Sequence, residues 1–106
     1  MPKYLLAVNY TLEGIRAVAQ HGGTARTAAA RAAIESVGGT LEADYFAFGD
    51  TDAYVIVDLP NNEAAASLVL AVSATGALTV RTTVLITPEE MDAAAKRGVT
   101  YSPPGS

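Results

Sequence analysis

One imidazole, five phenols and a pair of aspartates two residues apart are the side chains of this 106-residue sequence with the clearest capacity for chemistry. His21 is the sole group whose ordinary pKa lies near neutrality, which suits a general base or a metal ligand. It also stands where a helix ends, at His21-Gly22-Gly23-Thr24, and the helix dipole favours a cation there. That plainer explanation is preferred, because a metal would need further ligands and the sequence has no second His and no Cys. Asp50 and Asp52 lie in a Gly49-Asp50-Thr51-Asp52 turn. Two carboxylates so spaced can share acid–base work or hold a hard cation. They can equally accept hydrogen bonds from the turn's own backbone, the commoner use of Asp in turns. Asp52 and His21 are therefore the candidate catalytic residues, and no metal or cofactor is expected.

A second set lies on strands. Tyr4, Tyr10, Tyr45, Tyr54 and Arg81 fall in apolar runs. Phenols and one guanidinium can orient an anionic or phenolic ligand, so Tyr10, Tyr54 and Arg81 are the candidate binding residues. The alternative is packing of the rings at a subunit interface, with Arg81 paired to Glu42 or Asp44 across strands. Serine chemistry has no support, since Ser36, Ser67 and Ser73 sit in no nucleophile-elbow motif. Gly22-Gly23-Thr24 lacks the Gly-Lys-Ser/Thr ending of a phosphate loop.

The elements that must position these groups follow from local signals. Residues 3–10 read as a strand. Thr11 is placed to cap a helix with Leu12, Ile15, Val18 and Ala19 as its stripe. After the glycines a second helix runs from about Ala25 to Val37, with Ala30, Ala33, Ile34 and Val37 on one side, and Gly38-Gly39 stops it. Residues 40–48 and 53–59 read as two strands of a hairpin joined by the four-residue turn. A third helix starts near Pro60-Asn61-Asn62-Glu63, with Ala65, Leu68, Val69 and Val72 inward. Residues 78–86 form the last strand. Thr87-Pro88-Glu89-Glu90 starts a short helix reaching about Arg97.

The order β-α-β-β-α-β with an extra C-terminal helix is the ferredoxin-like α+β pattern: one antiparallel sheet, helices on one face. One domain over residues 1–98 with a loose tail over 99–106 is expected. The strands alternate poorly. Tyr4, Leu6, Val8 and Tyr10 face one way, Leu5 and Ala7 the other, and Tyr54 and Ile56 oppose Val55 and Val57. Both sheet faces are thus substantially apolar, and the face away from the helices needs a cover. The simplest cover is the same face of a second copy about a two-fold axis, giving a dimeric α+β barrel with room for a small ligand between the sheets. Composition points the same way. Ala supplies 21 of the apolar residues and Trp none, so the isolated chain has modest bulk to bury.

The run Val8-Asn9-Tyr10-Thr11-Leu12-Glu13-Gly14-Ile15 resembles the opening of GYD-domain proteins. So do Ile34 to Gly39, Phe48 to Ala53, Leu59 to Ala65, and Gly76 to Thr83 with its ending Val80-Arg81-Thr82-Thr83. The resemblance spans about residues 3–92. It implies a ferredoxin-like fold, a dimeric α+β barrel and no defined activity. The family's namesake turn is Gly-x-Tyr-Asp. Here Gly49 and Asp52 keep their places and Thr51 stands where the tyrosine would.

Charge and composition exclude other classes. Seven basic against eleven acidic residues give a net charge of −4, which opposes binding to nucleic acid or an anionic membrane. Without cysteine there is no disulfide scaffold, thiolate metal site or Cys nucleophile. The short apolar run at the start is broken by Asn9-Tyr10-Thr11, and no stretch approaches a membrane span. A cytoplasmic location is expected. The functional expectation is a homodimer, or a larger homo-oligomer, acting as a small-molecule binding or accessory module. A cofactor-independent monooxygenase or isomerase, or a purely structural assembly unit, are the alternatives.

Overall fold

Thr11, Asn61 and Thr87 each stand one residue before a helix, and each side chain accepts a hydrogen bond from a backbone N–H of the first turn. These caps fix where three helices begin. The computed structural model describes residues 1–105. In chain order they form β1 (Lys3–Tyr10), α1 (Leu12–His21), α2 (Gly23–Ser36), β2 (Thr40–Phe46), β3 (Ala53–Asp58), α3 (Asn62–Ser73), β4 (Leu78–Leu85) and α4 (Pro88–Ala95). Thr87 and Glu90 make a reciprocal capping box at α4.

The four strands make one antiparallel sheet in the order β2-β3-β1-β4. This is the ferredoxin-like arrangement, and the sheet is open rather than closed. Tyr4, Leu6 and Val8 of β1, Val55 and Val57 of β3, and Leu78 of β4 are buried together with Ile34 of α2 and Ala65 and Leu68 of α3. The core therefore lies between the sheet and α2 and α3, on the face that strand parity assigns to the helices. Cross-strand rows on the other face run Ala43, Ile56, Leu5, Thr83 and then Tyr45, Tyr54, Ala7, Arg81. Lys3 anchors one end of that face, its ammonium 2.8 Å from Glu42 and 3.0 Å from Asp58. An irregularity in β2 between Leu41 and Ala43 lets Glu42 take part.

Four expectations change. Gly22 alone separates α1 from α2. Its φ of 83° needs glycine, and α2 begins directly at Gly23 rather than at Ala25. β2 stops at Phe46, so the hairpin connection is residues 47–52 rather than a four-residue turn. The stripe on α1 is not sealed: Leu12 and Ile15 are 64% and 44% exposed. What holds α1 is its N-terminus. The Thr11 amide donates to the Ala77 carbonyl at 3.0 Å, and Gly14 sits so close to that carbonyl that a Cβ there would lie 1.9 Å from its oxygen. Finally, α4 ends at Ala95, and every residue from Pro88 to Gly105 is exposed. The chain measures 58 × 32 × 22 Å with a radius of gyration of 17.0 Å. A compact chain of about 100 residues has a radius of gyration of only about 13 Å. The C-terminal arm projects from the domain.

Candidate functional site

Alanine is the reason a space exists beneath α2. Ala30 and Ala33, half-buried on α2, present short side chains toward the sheet where larger ones would fill the layer, and a cavity of about 100 Å³, open on one side and bordered also by exposed Ala29, remains. Its interior is aliphatic: Leu6 and Val8 from β1, Val55 from β3, Leu78 and Val80 from β4, Ile34 from α2, Leu68 and Val72 from α3. Polar side chains enter the lining at three residues only, Tyr10, Arg26 and Asp44, with the Phe46 ring beside them. An apolar chamber with its few polar groups gathered together is the usual form of a small-molecule site.

Each polar group is placed by a neighbour. Tyr10 is the last residue of β1. Its backbone N–H donates to the Asp52 carboxylate at 2.9 Å, while the Asp52 N–H donates to the Val8 carbonyl at 2.9 Å. The turn is further tied down by Asn9 Nδ2, which donates to the Asp50 carbonyl at 2.8 Å. Arg81 Nη2 donates to the hydroxyl of buried Thr51 at 2.6 Å. Asp52 thus grips the end of the strand that carries Tyr10. Asp44 on β2 accepts from the Thr27 hydroxyl of α2 at 2.5 Å through Oδ2. Arg26 precedes Thr27 and makes no ion pair among the described residues. Burial pushes the Tyr10 phenol above its ordinary pKa; the Arg26 charge offsets part of the rise, and Asp44 and Asp52 add to it. The phenol is therefore a neutral donor at physiological pH.

This arrangement sorts the residues expected from the sequence. Tyr10 is at the cavity. Tyr54 and Arg81 lie on the opposite face of the sheet, because Tyr54 pairs with Ala7 and Ala7 with Arg81. The three proposed binding residues do not converge, since Tyr10 has the other parity. Arg81 does not pair with Glu42 or Asp44: it takes Thr51 and Asn9, Glu42 goes to Lys3, and Asp44 goes to Thr27. Of the Asp50–Asp52 pair, the Asp52 carboxylate accepts from the Tyr10 amide and Asp50 is exposed. The Asp52 carbonyl accepts from the Ala47 N–H within the turn at 2.8 Å, but the Asp52 carboxylate reaches across to β1 rather than bonding its own turn, as the plainer explanation had it. His21 is exposed at the end of α1 and outside the cavity lining. Among the described residues no group of three His, Cys, Asp or Glu side chains gathers to hold a metal. No helix there is long and apolar enough to cross a membrane.

The β2–β3 turn with its pinning aspartate lies within a stretch, residues 4–95, that matches the family model described as GYD domain. The chain belongs to the GYD domain family. No curated protein matches the chain, and no solved structure matches it. The matched stretch of this GYD domain includes nearly all of the four strands, α1 to α3 and α4 to its last residue, so the cavity and its polar mouth lie wholly inside it. In the β2–β3 turn of this GYD domain the Thr51 hydroxyl receives Arg81.

Sequence reasoning missed Arg26, Thr27, Asp44 and Phe46 as a group. One signal was available. Arg26 is four residues before Ala30 and seven before Ala33, so helical periodicity sets it on the stripe that faces the sheet. Asp44 and Phe46 share strand parity with each other. Within one chain a pocket lies under the helices, a place that strand alternation did not point to.

Proposed function

We propose that this GYD-domain protein is a small-molecule binding module that works as a homodimer. The observation that carries the binding role is the cavity of about 100 Å³ with aliphatic walls and all its polar side chains at one mouth. An apolar molecule that leaves water for these aliphatic walls gains about 25 cal/mol per Å² of apolar surface buried. Binding to the folded state raises the melting temperature with ligand concentration. The test is a thermal-shift and calorimetric screen of single-ring and short branched molecules. Saturable stabilisation, lost when Ala33 is replaced by Val, is the expected result. Absence of stabilisation across the screen, with the protein folded, would remove the binding role.

The dimer rests on a separate observation. Leu5, Ala7, Tyr45, Tyr54, Ile56 and Leu85 share the sheet face that, among the described residues, no helix covers. Four strands about 4.8 Å apart and up to about eight residues long present roughly 500 Å². Two such faces bury about 1,000 Å², a little below the ~1,200–2,000 Å² of a stable interface. The projecting arm, with Met91, Val99 and Tyr101 at 56%, 85% and 72% exposure, supplies the remaining contact when it lies along the second copy. Light scattering at micromolar concentration should give about twice 10.9 kDa. A mass of one chain at every concentration would refute the dimer and leave the cavity untouched.

A further inference from the structure

The mouth of the cavity sets a condition on the head group of its ligand. Arg26 offers donors and a positive charge. Asp44 offers acceptors and a negative charge, and only its Oδ2 is engaged, by Thr27. The two face the same space and form no ion pair. Tyr10 adds a neutral hydroxyl whose pKa is raised. The mouth therefore carries one donor cation, one acceptor anion and no net charge.

A carboxylate would satisfy Arg26 and Tyr10 but would bring a second anion against the free oxygen of Asp44, and like charges at contact in a partly dry site oppose each other. An ammonium head would satisfy Asp44 and leave Arg26 as an opposed cation. A purely apolar ligand would strip water from both charges and return nothing. A hydroxyl on an aromatic ring meets both demands. It donates to Asp44 and accepts from Arg26 or Tyr10 with no charge of its own. The chamber fits the ring. A space of ~150 Å³ holds a whole benzene. Here a pocket of about 100 Å³, open to solvent on one side, takes most of a single ring, and the hydroxyl edge stands in the open mouth.

We infer that the ligand class of this site is a single-ring phenol, bound uncharged, with its hydroxyl between Asp44 and Arg26. This rests on the binding role proposed above and narrows it. Three probes of one ring size separate the possibilities at neutral pH: phenol, toluene and benzoate. Calorimetric titration of the full chain should give phenol at least tenfold tighter than either of the others. Asp44→Asn, which removes the anion and keeps the shape, should weaken phenol several-fold and strengthen benzoate, drawing the two together. Benzoate tighter than phenol on the unmodified chain would overturn the phenol assignment, as would toluene equal to phenol, and in both cases the cavity would still bind. Failure of all three to bind the folded protein would overturn the phenol assignment, and the binding role would then fall only if the short branched molecules of the wider screen failed as well. The ranking on the unmodified chain needs no variant, so it decides the matter even if Asp44→Asn does not fold.

Discussion

Replacing Ala33 by Val tests whether the space under α2 is real and whether it is kept for an occupant. Ala33 is half-buried on α2 and lines the cavity with Ala30 and Ile34. Valine adds two methyl groups at the wall. Burying them is worth about 0.8 kcal/mol each, or roughly 1.6 kcal/mol. Partial filling of the void recovers further packing, while valine's lower helix propensity takes back about half a kcal/mol. The net expectation is a stability gain of about 1–2 kcal/mol. In a domain of this size that raises the melting temperature by roughly 5–10 °C. The same change should abolish stabilisation by a single-ring ligand. Chemical denaturation with an unchanged m-value and a thermal melt with and without phenol provide the assay. A destabilised Ala33→Val protein would mean that the layer is already full. A stabilised one that still binds would place the ligand elsewhere. Either result refutes the reasoning. Gain of stability with loss of binding is the signature of a void held open for function.

Three other outcomes follow from the contacts described. Asp52→Ala leaves the Tyr10 N–H without its acceptor. It should cost about 1–3 kcal/mol in urea unfolding, with Asp52→Asn losing less; equal losses would show that the carboxylate is not the grip. Gly14→Ala would ordinarily strengthen a helix by up to about 1 kcal/mol. Here the added Cβ would fall 1.9 Å from the Ala77 carbonyl oxygen. A net loss of about 3 kcal/mol is therefore expected by denaturation, and a gain would disprove the close approach. Tyr10 should ionise above the ordinary tyrosine value in a phenolate absorbance titration, and Tyr10→Phe should remove that late step. Its raised pKa means that the unfolded chain gives up the proton first, so its contribution to stability is intact below about pH 10 and is lost as pH rises through the folded-state value. Lys3, whose pKa is raised by Glu42 and then Asp58, works in the same direction: its ion pairs are intact below its ordinary 10.5 and are lost as pH rises past the folded-state value. A stability profile flat to high alkaline pH would contradict both.

The contrast between Thr87 and Arg26 explains why the fold was readable and the site was not. Thr87-Pro88-Glu89-Glu90 announces a helix start because the capping box is local, four residues bonding among themselves, and the structure contains both of its hydrogen bonds. Asn61, Thr11 and the parity of β1 are local in the same sense. A cavity is not. Ala29, Ala30 and Ala33 are ordinary helix formers, and nothing in their identity says that the opposite wall stops short of them. Arg26 and Asp44 are distant in sequence and meet only because β2 returns beneath α2. Asp52 shows the intermediate case. Its place in the turn was visible, but its bond to the Tyr10 N–H depends on β3 lying beside β1, which no local signal announces. The polar residues of strands drew attention to the uncovered face, where Tyr54 and Arg81 lie; the residue lining the pocket was Tyr10, one parity step away. A sheet with apolar residues on both faces offers two places for a ligand, and the alanines of α2, rather than the tyrosines, decide which of them is hollow in a single chain.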